Sequence, residues 1–318
     1  MNIVILDGRA LNPGDLSWDS FKEFGNVIYY PQTDTEDQTI VRLQNTQIAL
    51  LNKVPITEKV LAACPELKLI CVLATGYNVV DIQAAARRGI PVCNVPGYGT
   101  AAVAQFTFAL LLELCHRIGH HDHVVHGGKW SRSPDFCFWD TPQMELAGKT
   151  MGIIGYGSIG QAVGNIARAF GMELVAHSRT HHPGVDCYVE LDELLSRADV
   201  ISLHCPLFPE TAGLINDETI AKMKDGVILL NTARGALVDE KALTAGPCSG
   251  KIRGAAVDVV SGEPIAEDNP LLTAPNCIIT PHMAWTPVES RQRVFQCAVE
   301  NIRGFLSGNP LNVVNGVS

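Results

Sequence analysis

Thr150 to Thr180 limits the possible folds of this chain more than any other stretch; it reads TMGIIGYGSIGQAVGNIARAFGMELVAHSRT. A short apolar run, Met151 to Ile154, leads into Gly155, Gly157 and Gly160 at G-x-G-x-x-G spacing. Ile159, Val163, Ile166, Ala167 and Phe170 follow at helical intervals, and a second apolar run, Leu174 to Ala176, closes the unit. Strand, tight turn, helix and strand in that order are the context in which such glycines bind a dinucleotide. The first glycine lets the backbone turn sharply, the second lets a pyrophosphate approach it, and the third lets helix and strand pack closely. The helix N-terminus then offers N–H groups and a partial positive charge to the phosphates. Gly155, Tyr156, Gly157, Ser158, Ile159 and Gly160 are therefore the candidate cofactor loop. Without the flanking strand and helix, the same spacing would serve an ordinary turn.

A chain of 318 residues has room for two domains. With 47% hydrophobic and 18% charged residues it has the material for large buried sheets. A net charge of −9 argues against nucleic acid as a partner, since phosphate binding needs a basic face. Ten cysteines show no C-x-x-C pair and no disulfide-like spacing, so they read as reduced, mostly buried thiols of a cytoplasmic protein. The opening MNIVILDG enters a strand with no basic leader, so no signal peptide is expected. No apolar run reaches the roughly 18 residues of a membrane span, so no membrane partner is expected.

Residues 1–98 alternate strand-like runs (Asn2 to Leu6, Val27 to Tyr30, Gln47 to Leu51, Leu67 to Ala74, Pro91 to Val95) with helical pieces (Phe21 to Phe24, Thr57 to Ala63, Asp81 to Arg88). Thr57 can cap the second of these helices. That alternation implies a parallel sheet covered on both faces. Ala74-Thr75-Gly76-Tyr77-Asn78 follows an apolar strand. Such a strand end exposes N–H groups to ligands in α/β domains, and a plain turn reads the same way. A long apolar helix is expected from Thr100 to Gly119, marking a domain crossing. The histidines that follow (His116, His120, His121, His123, His126) read as a solvated helix end, and no carboxylate or cysteine pattern completes a metal site, so no metal is expected. KWSRSPDFCFW, Lys129 to Trp139, is too aromatic for a simple exposed loop: it packs on the body of the protein or serves a partner subunit. Apolar runs then recur at Val200 to Leu203, Val227 to Leu230, Ala255 to Val259 and Cys277 to Thr280, making Thr150 to Thr280 one doubly wound nucleotide-binding domain. A last helix, Pro287 to Leu306, returns the chain to the first domain after Trp285.

Strand ends in the second half carry Arg234, Asp258, Glu263 and His282. The carboxyl ends of strands in an open α/β sheet face the ligand crevice. Singly, these residues read as a surface salt bridge, a helix cap, a solvated loop residue and a core histidine. Four of them on successive strand ends of a dinucleotide domain point instead to a catalytic set.

At these residues the sequence resembles the D-isomer-specific 2-hydroxyacid dehydrogenase family. The matching segments are the glycine loop and the runs SLHCPLFPETAGLIN, NTARGALVDEKAL, DVVSGEP and PHMAW, and the likeness covers essentially the whole chain. ATGYNVVD, DFCFWD and HMAW resemble the glycerate dehydrogenase, or hydroxypyruvate reductase, subgroup. The resemblance implies two doubly wound α/β domains. A Rossmann NAD(P)-binding domain, residues 99–285, is inserted into a flavodoxin-like substrate domain, residues 1–98 and 286–318. It implies a homodimer that reduces small 2-keto acids such as hydroxypyruvate or glyoxylate. Arg234 would hold the substrate carboxylate and polarise the carbonyl, with backbone N–H groups around Thr75 and Gly76 holding its other oxygen. His282 would give a proton to the carbonyl oxygen, Glu263 would orient its ring, and Asp258 would fix the nicotinamide carboxamide. Trp139 would reach the active site of a second subunit. Further cofactor contacts are implied at Cys205, Pro206, Thr211, Thr232, Ala233 and His282. Phe208 stands where many relatives have threonine, and Gln105 replaces a common glutamate.

Coenzyme choice is read from the second strand of the fingerprint. NAD enzymes place an acid at its end for the ribose 2′-hydroxyl. Here Ser178-Arg179-Thr180 follows the strand, and the next acid, Asp186, lies beyond His181-His182-Pro183-Gly184. A guanidinium and two hydroxyls suit a 2′-phosphate, so NADP(H) is the expected coenzyme and NAD(H) the alternative. Rival functions are a reductase of a bulkier 2-keto acid and a dinucleotide-sensing corepressor with little turnover. Phosphoglycerate is disfavoured, since the chain ends at Ser318 with no regulatory domain and shows no basic cluster for a phosphate.

Overall fold

The computed structural model describes every residue except Gly184, Asp186 and Ser318, and every side chain of those except that of Cys248. Two compact units divide the chain: residues 1–98 with 286–318, and residues 99–285.

The first unit opens with strands β1 (Asn2–Ile5) and β2 (Asn26–Tyr29). Helix α1 (Glu36–Leu43), β3 (Ile48–Leu51), α2 (Glu58–Ala63), β4 (Leu69–Val72), α3 (Ile82–Arg87) and β5 (Val92–Cys93) follow. The strands pair in parallel in the order β2-β1-β3-β4-β5, the flavodoxin-like arrangement. IALL and LICV, in β3 and β4, are buried on both faces, so these strands are continuous apolar runs rather than alternating ones. Each helix starts on a side-chain cap: Thr35 Oγ1 accepts from Gln38 N–H, Thr57 Oγ1 from Val60 N–H and Asp81 Oδ1 from Ala84 N–H. Helix α1 was not expected from the sequence. It buries only Thr39 and Leu43, so it carries no apolar stripe to read.

The second unit begins with α4 (Thr100–His116) and α5 (Ile118–His126). The single helix expected over Thr100 to Gly119 breaks at Arg117, which takes the left-handed conformation at φ 51°, and the two helices meet at 56°. His120, His121, His123 and His126 are therefore on a helix of their own with no buried residue, while His116 ends α4. Then come β6 (Thr150–Ile154), α6 (Ser158–Ala169), β7 (Glu173–His177), α7 (Leu191–Arg197), β8 (Val200–Leu203), α8 (Asp217–Lys222), β9 (Val227–Asn231), α9 (Glu240–Cys248), β10 (Ile252–Val257) and β11 (Cys277–Ile279). Their parallel sheet runs β11-β10-β9-β8-β6-β7. Helix α4 is mostly buried and packs against α6, β9 and β10. No single helix among the described residues is long and apolar enough to cross a membrane.

The chain closes on α10 (Val288–Leu306) in the first unit. Its buried Arg291 donates to both carboxylate oxygens of Asp15, and its buried Asn301 donates to the Asn94 carbonyl at 2.9 Å. The described cysteines are free thiols, Cys64, Cys71, Cys93 and Cys115 being buried.

Candidate active site

The glycine loop leaves β6 at Gly155, whose φ of 94° suits a residue without Cβ. A Cβ there would lie 2.3 Å from the Cys205 backbone nitrogen, so this turn is pressed against the chain leaving β8. A Cβ on Gly160 would meet the Gly155 carbonyl at 2.3 Å, which is the close packing expected of the third glycine. Around Gly157 the space is open: a Cβ there would have no neighbour within 4 Å. Gly157 also precedes α6, which has no side-chain cap. An uncapped helix N-terminus behind an open glycine fits a pyrophosphate. Tyr156 offers only backbone here, because its ring is buried against Tyr188.

The chain leaving β8 is stiffened beneath this loop. His204 N–H donates to the Ile154 carbonyl at 2.8 Å, and its ring meets Ser202 Oγ at 2.8 Å. Burial pushes the His204 pKa down to about 3, so the ring stays neutral at ordinary pH. Burial raises the Cys205 thiol.

Past β9 the chain makes an asparagine-bound turn. Asn231 Oδ1 accepts from Ala233 N–H at 3.1 Å, and Asn231 Nδ2 donates to the Arg234 carbonyl at 2.9 Å. Sequence reasoning gave Asn231 no role, although an asparagine at a strand end was the available signal. Gly235 then touches the next loop so closely that a Cβ would sit 1.9 Å from the Val260 carbonyl carbon. Arg234 is thereby set beside the chain leaving β10. It is exposed, donates to the Ala233 carbonyl at 2.7 Å, and pairs with no carboxylate among the described residues. Thr232 is buried and shares a 3.1 Å hydroxyl contact with Thr107 of α4; Ala233 is half-buried.

Glu263 and His282 meet directly, with His282 Nδ1 2.7 Å from Glu263 Oε2. His282 has φ 52°, an uncommon conformation for a residue with Cβ, held by its N–H donating to the Asp258 carbonyl at 2.8 Å. Asp258 is only 1% exposed, so its charge needs partners. It accepts from Thr280 Oγ1 at 2.6 Å, Met283 N–H at 2.9 Å and Ala284 N–H at 2.8 Å. The carboxylate therefore shapes the loop that carries His282. With about four lone-pair sites it retains capacity for one further donor, such as a carboxamide.

At the far edge, Ser178, Arg179 and Thr180 follow β7, the latter two exposed. Arg179 lies over the Phe208 ring, 5.1 Å from its centroid. Thr211 spends its hydroxyl within its own loop, accepting from Phe208 N–H at 2.8 Å and donating to the Pro206 carbonyl at 2.9 Å. Asp186, the acid weighed in the coenzyme reading, lies outside the described residues. Trp139 is 66% exposed and does not pack on its own unit's core.

In the first unit, Thr75 and Gly76 lie in the loop that follows β4. Thr75 Oγ1 donates to the Val95 carbonyl, and Asn94 Nδ2 to the Thr75 carbonyl. Their own N–H groups find no acceptor among the described residues. Nearby strand ends are tied by Asp7, whose carboxylate accepts the N–H groups of Asn52 and Lys53 at 2.7 and 2.6 Å while burial raises its pKa. Sequence reasoning missed that role.

Residues 108–284 match the family model described as D-isomer specific 2-hydroxyacid dehydrogenase, NAD binding domain. The chain is 56% identical to a hydroxypyruvate reductase of Blautia hydrogenotrophica, covering 99% of this chain and 100% of that one. It is 42% identical to a glycerate dehydrogenase of Methylorubrum extorquens, covering 98% of each. Among solved structures, an acyclic imino acid reductase in complex with NADPH and D-Arg superposes with a TM-score of 0.85 at 32% identity, covering 99% of this chain and 100% of that one.

Proposed function

We propose a substrate and a coenzyme from one premise: the chain belongs to the D-isomer-specific 2-hydroxyacid dehydrogenase family. It is an oxidoreductase acting on the CH–OH group of small 2-hydroxy acids, and its cofactor is a nicotinamide dinucleotide. Our reading is that it reduces hydroxypyruvate to D-glycerate, and glyoxylate to glycolate. The observation that carries the chemistry is the Glu263–His282 pair on a loop braced by Asp258, next to the turn that presents Arg234. The names of the two full-length relatives support hydroxypyruvate as the substrate.

A bound nicotinamide supplies the hydride; the rest is the work of this chain's residues. Arg234 offers its free guanidinium edge to the substrate carboxylate. His282, bound to Glu263 through Nδ1, presents Nε2 and gives its proton to the C2 carbonyl oxygen. In the reverse direction Nε2 takes that proton back. Glu263 keeps the ring in the orientation this transfer needs. Asp258 offers its remaining acceptor site to the carboxamide. We assign residues 99–285 to the coenzyme, and residues 1–98 with 286–318 to the substrate, the latter on the unengaged N–H groups of Thr75 and Gly76.

Two finer readings complete the proposal. The coenzyme is NADP(H), held by Ser178, Arg179 and Thr180, and the NADPH complex of the imino acid reductase is in keeping with this. The protein acts as a homodimer through Trp130, Phe136 and Trp139, which are 53%, 89% and 66% exposed.

The test is a panel of 2-keto acids of increasing size, each assayed with NADPH and NADH. Hydroxypyruvate and glyoxylate with NADPH should give the highest kcat/KM, and Arg179→Ala should lose efficiency with NADPH while changing little with NADH. A preference for branched or aromatic acids overturns the substrate, and wild-type preference for NADH overturns the coenzyme. No turnover with any acid favours a dinucleotide-binding protein that is not an enzyme.

A further inference from the structure

Arg179 and Phe208 come from loops on opposite sides of the glycine loop. In the sheet order β8-β6-β7, β6 lies between β8 and β7. Arg179 follows β7 and Phe208 follows β8, and the two side chains meet, the guanidinium carbon 5.1 Å from the ring centroid. Their contact therefore spans the strand whose end carries the glycines.

Phe208 stands on anchored backbone, and the residues just past Arg179 are tied as well. Phe208 N–H donates to Thr211 Oγ1 at 2.8 Å, and the Phe208 carbonyl accepts from the N–H groups of Thr211 and Ala212, both at 3.0 Å. On the other side, His181 stacks on Tyr188 with centroids 4.0 Å apart, and His182 N–H donates to the Tyr188 hydroxyl at 3.0 Å. Phe208 is 39% exposed, so burying apolar surface does not account for its place.

A guanidinium resting on a ring uses its flat face and leaves its N–H edge free. No carboxylate among the described residues takes that edge of Arg179. An ion pair would have satisfied the charge and consumed the donors; a phenyl ring steadies the charge and consumes none. A threonine at 208 would have no ring to offer.

We propose that Phe208 is a positioning residue for coenzyme choice: its ring holds Arg179 with the N–H edge turned to the 2′-phosphate of NADPH. This inference rests on the NADP(H) reading above and adds the residue that makes Arg179 effective.

The experiment measures KM and kcat for NADPH and NADH at saturating hydroxypyruvate, in wild type, Phe208→Leu, Phe208→Tyr, Arg179→Ala and the Arg179→Ala/Phe208→Leu double variant. Binding of 2′,5′-ADP and of AMP, titrated calorimetrically into the enzyme without substrate, reports the phosphate contact without turnover. Phe208→Leu should raise KM for NADPH and weaken 2′,5′-ADP by about two- to fivefold, the size of an exposed cation–π contact. It should leave kcat, KM for NADH and AMP binding near wild type. Phe208→Tyr, which keeps the ring, should behave as wild type. In the Arg179→Ala background, Phe208→Leu should add nothing. Equal losses with both coenzymes would place the ring against the shared adenine and overturn the proposal. So would a Tyr variant as weak as Leu, or additive losses in the double variant. If wild type prefers NADH and Arg179→Ala leaves NADPH unaffected, the NADP(H) reading itself falls. If Arg179→Ala costs NADPH selectively and Phe208→Leu costs nothing, only the role of Phe208 falls.

Discussion

A single imidazole carries the acid–base step in this reading, and its setting is what makes it usable. His282 is held from three directions: its ring by Glu263, its N–H by the Asp258 carbonyl, and the next two N–H groups of its loop by the Asp258 carboxylate. His282→Ala should therefore remove proton transfer without disturbing the glycine loop. Hydroxypyruvate reduction should fall by about 10²- to 10⁴-fold, with NADPH affinity by fluorescence titration close to wild type. Turnover near wild type would remove His282 from the mechanism. Asp258 and His282 were legible in the sequence because each stands at or beside the end of an apolar run, and Glu263 because it follows in the loop after Asp258. Their division of labour was not. The sequence reading pointed Asp258 at the cofactor, whereas three of its hydrogen bonds brace the histidine loop.

Strands and their ends are the next scale. Just past β8, the half-buried His204 is held as a neutral ring beneath the glycine turn. Its folded pKa of about 3 lies below the unfolded value near 6.5, so the unfolded chain binds the proton first. The stability owed to this group is full above pH 6.5 and is lost as pH falls from 6.5 towards 3. Between about pH 7.5 and pH 5 the loss is about 2 kcal/mol by linkage. Comparing urea midpoints at the two pH values should show a smaller acid loss in His204→Gln than in wild type. Equal acid losses would show that His204 protonates as readily in the fold as in the unfolded chain. At this scale the apolar runs and the cap at Thr57 were readable from local chemistry. The break at Arg117 was not, because nothing in the run TFALLLELCHRIGHH marks a left-handed residue. Its backbone is set where Arg117 N–H closes on the Glu113 carbonyl.

Across the whole molecule, the aromatic segment carries three strongly exposed rings, Trp130, Phe136 and Trp139. Light scattering at micromolar concentration should give twice the 34.3 kDa chain mass. Phe136→Asp should shift it towards the monomer, since it puts a charge on a side chain that is 89% exposed in the isolated chain. A wild-type monomer would rule the dimer out. The sequence by itself determined the two-sheet α/β class, the order of the strands along the chain and the glycine loop, and it singled out the proposed Arg–Glu–His set. These follow from residue period, from glycine spacing and from polar residues at strand ends, all of which act over a few neighbouring positions. Only the tertiary structure decided which strand ends lie side by side, that Gly155 abuts Cys205, that Gly235 abuts Val260, and that Arg179 rests on Phe208. Those contacts join residues far apart in sequence, and they form only when parallel strands stack in register, which no local pattern encodes.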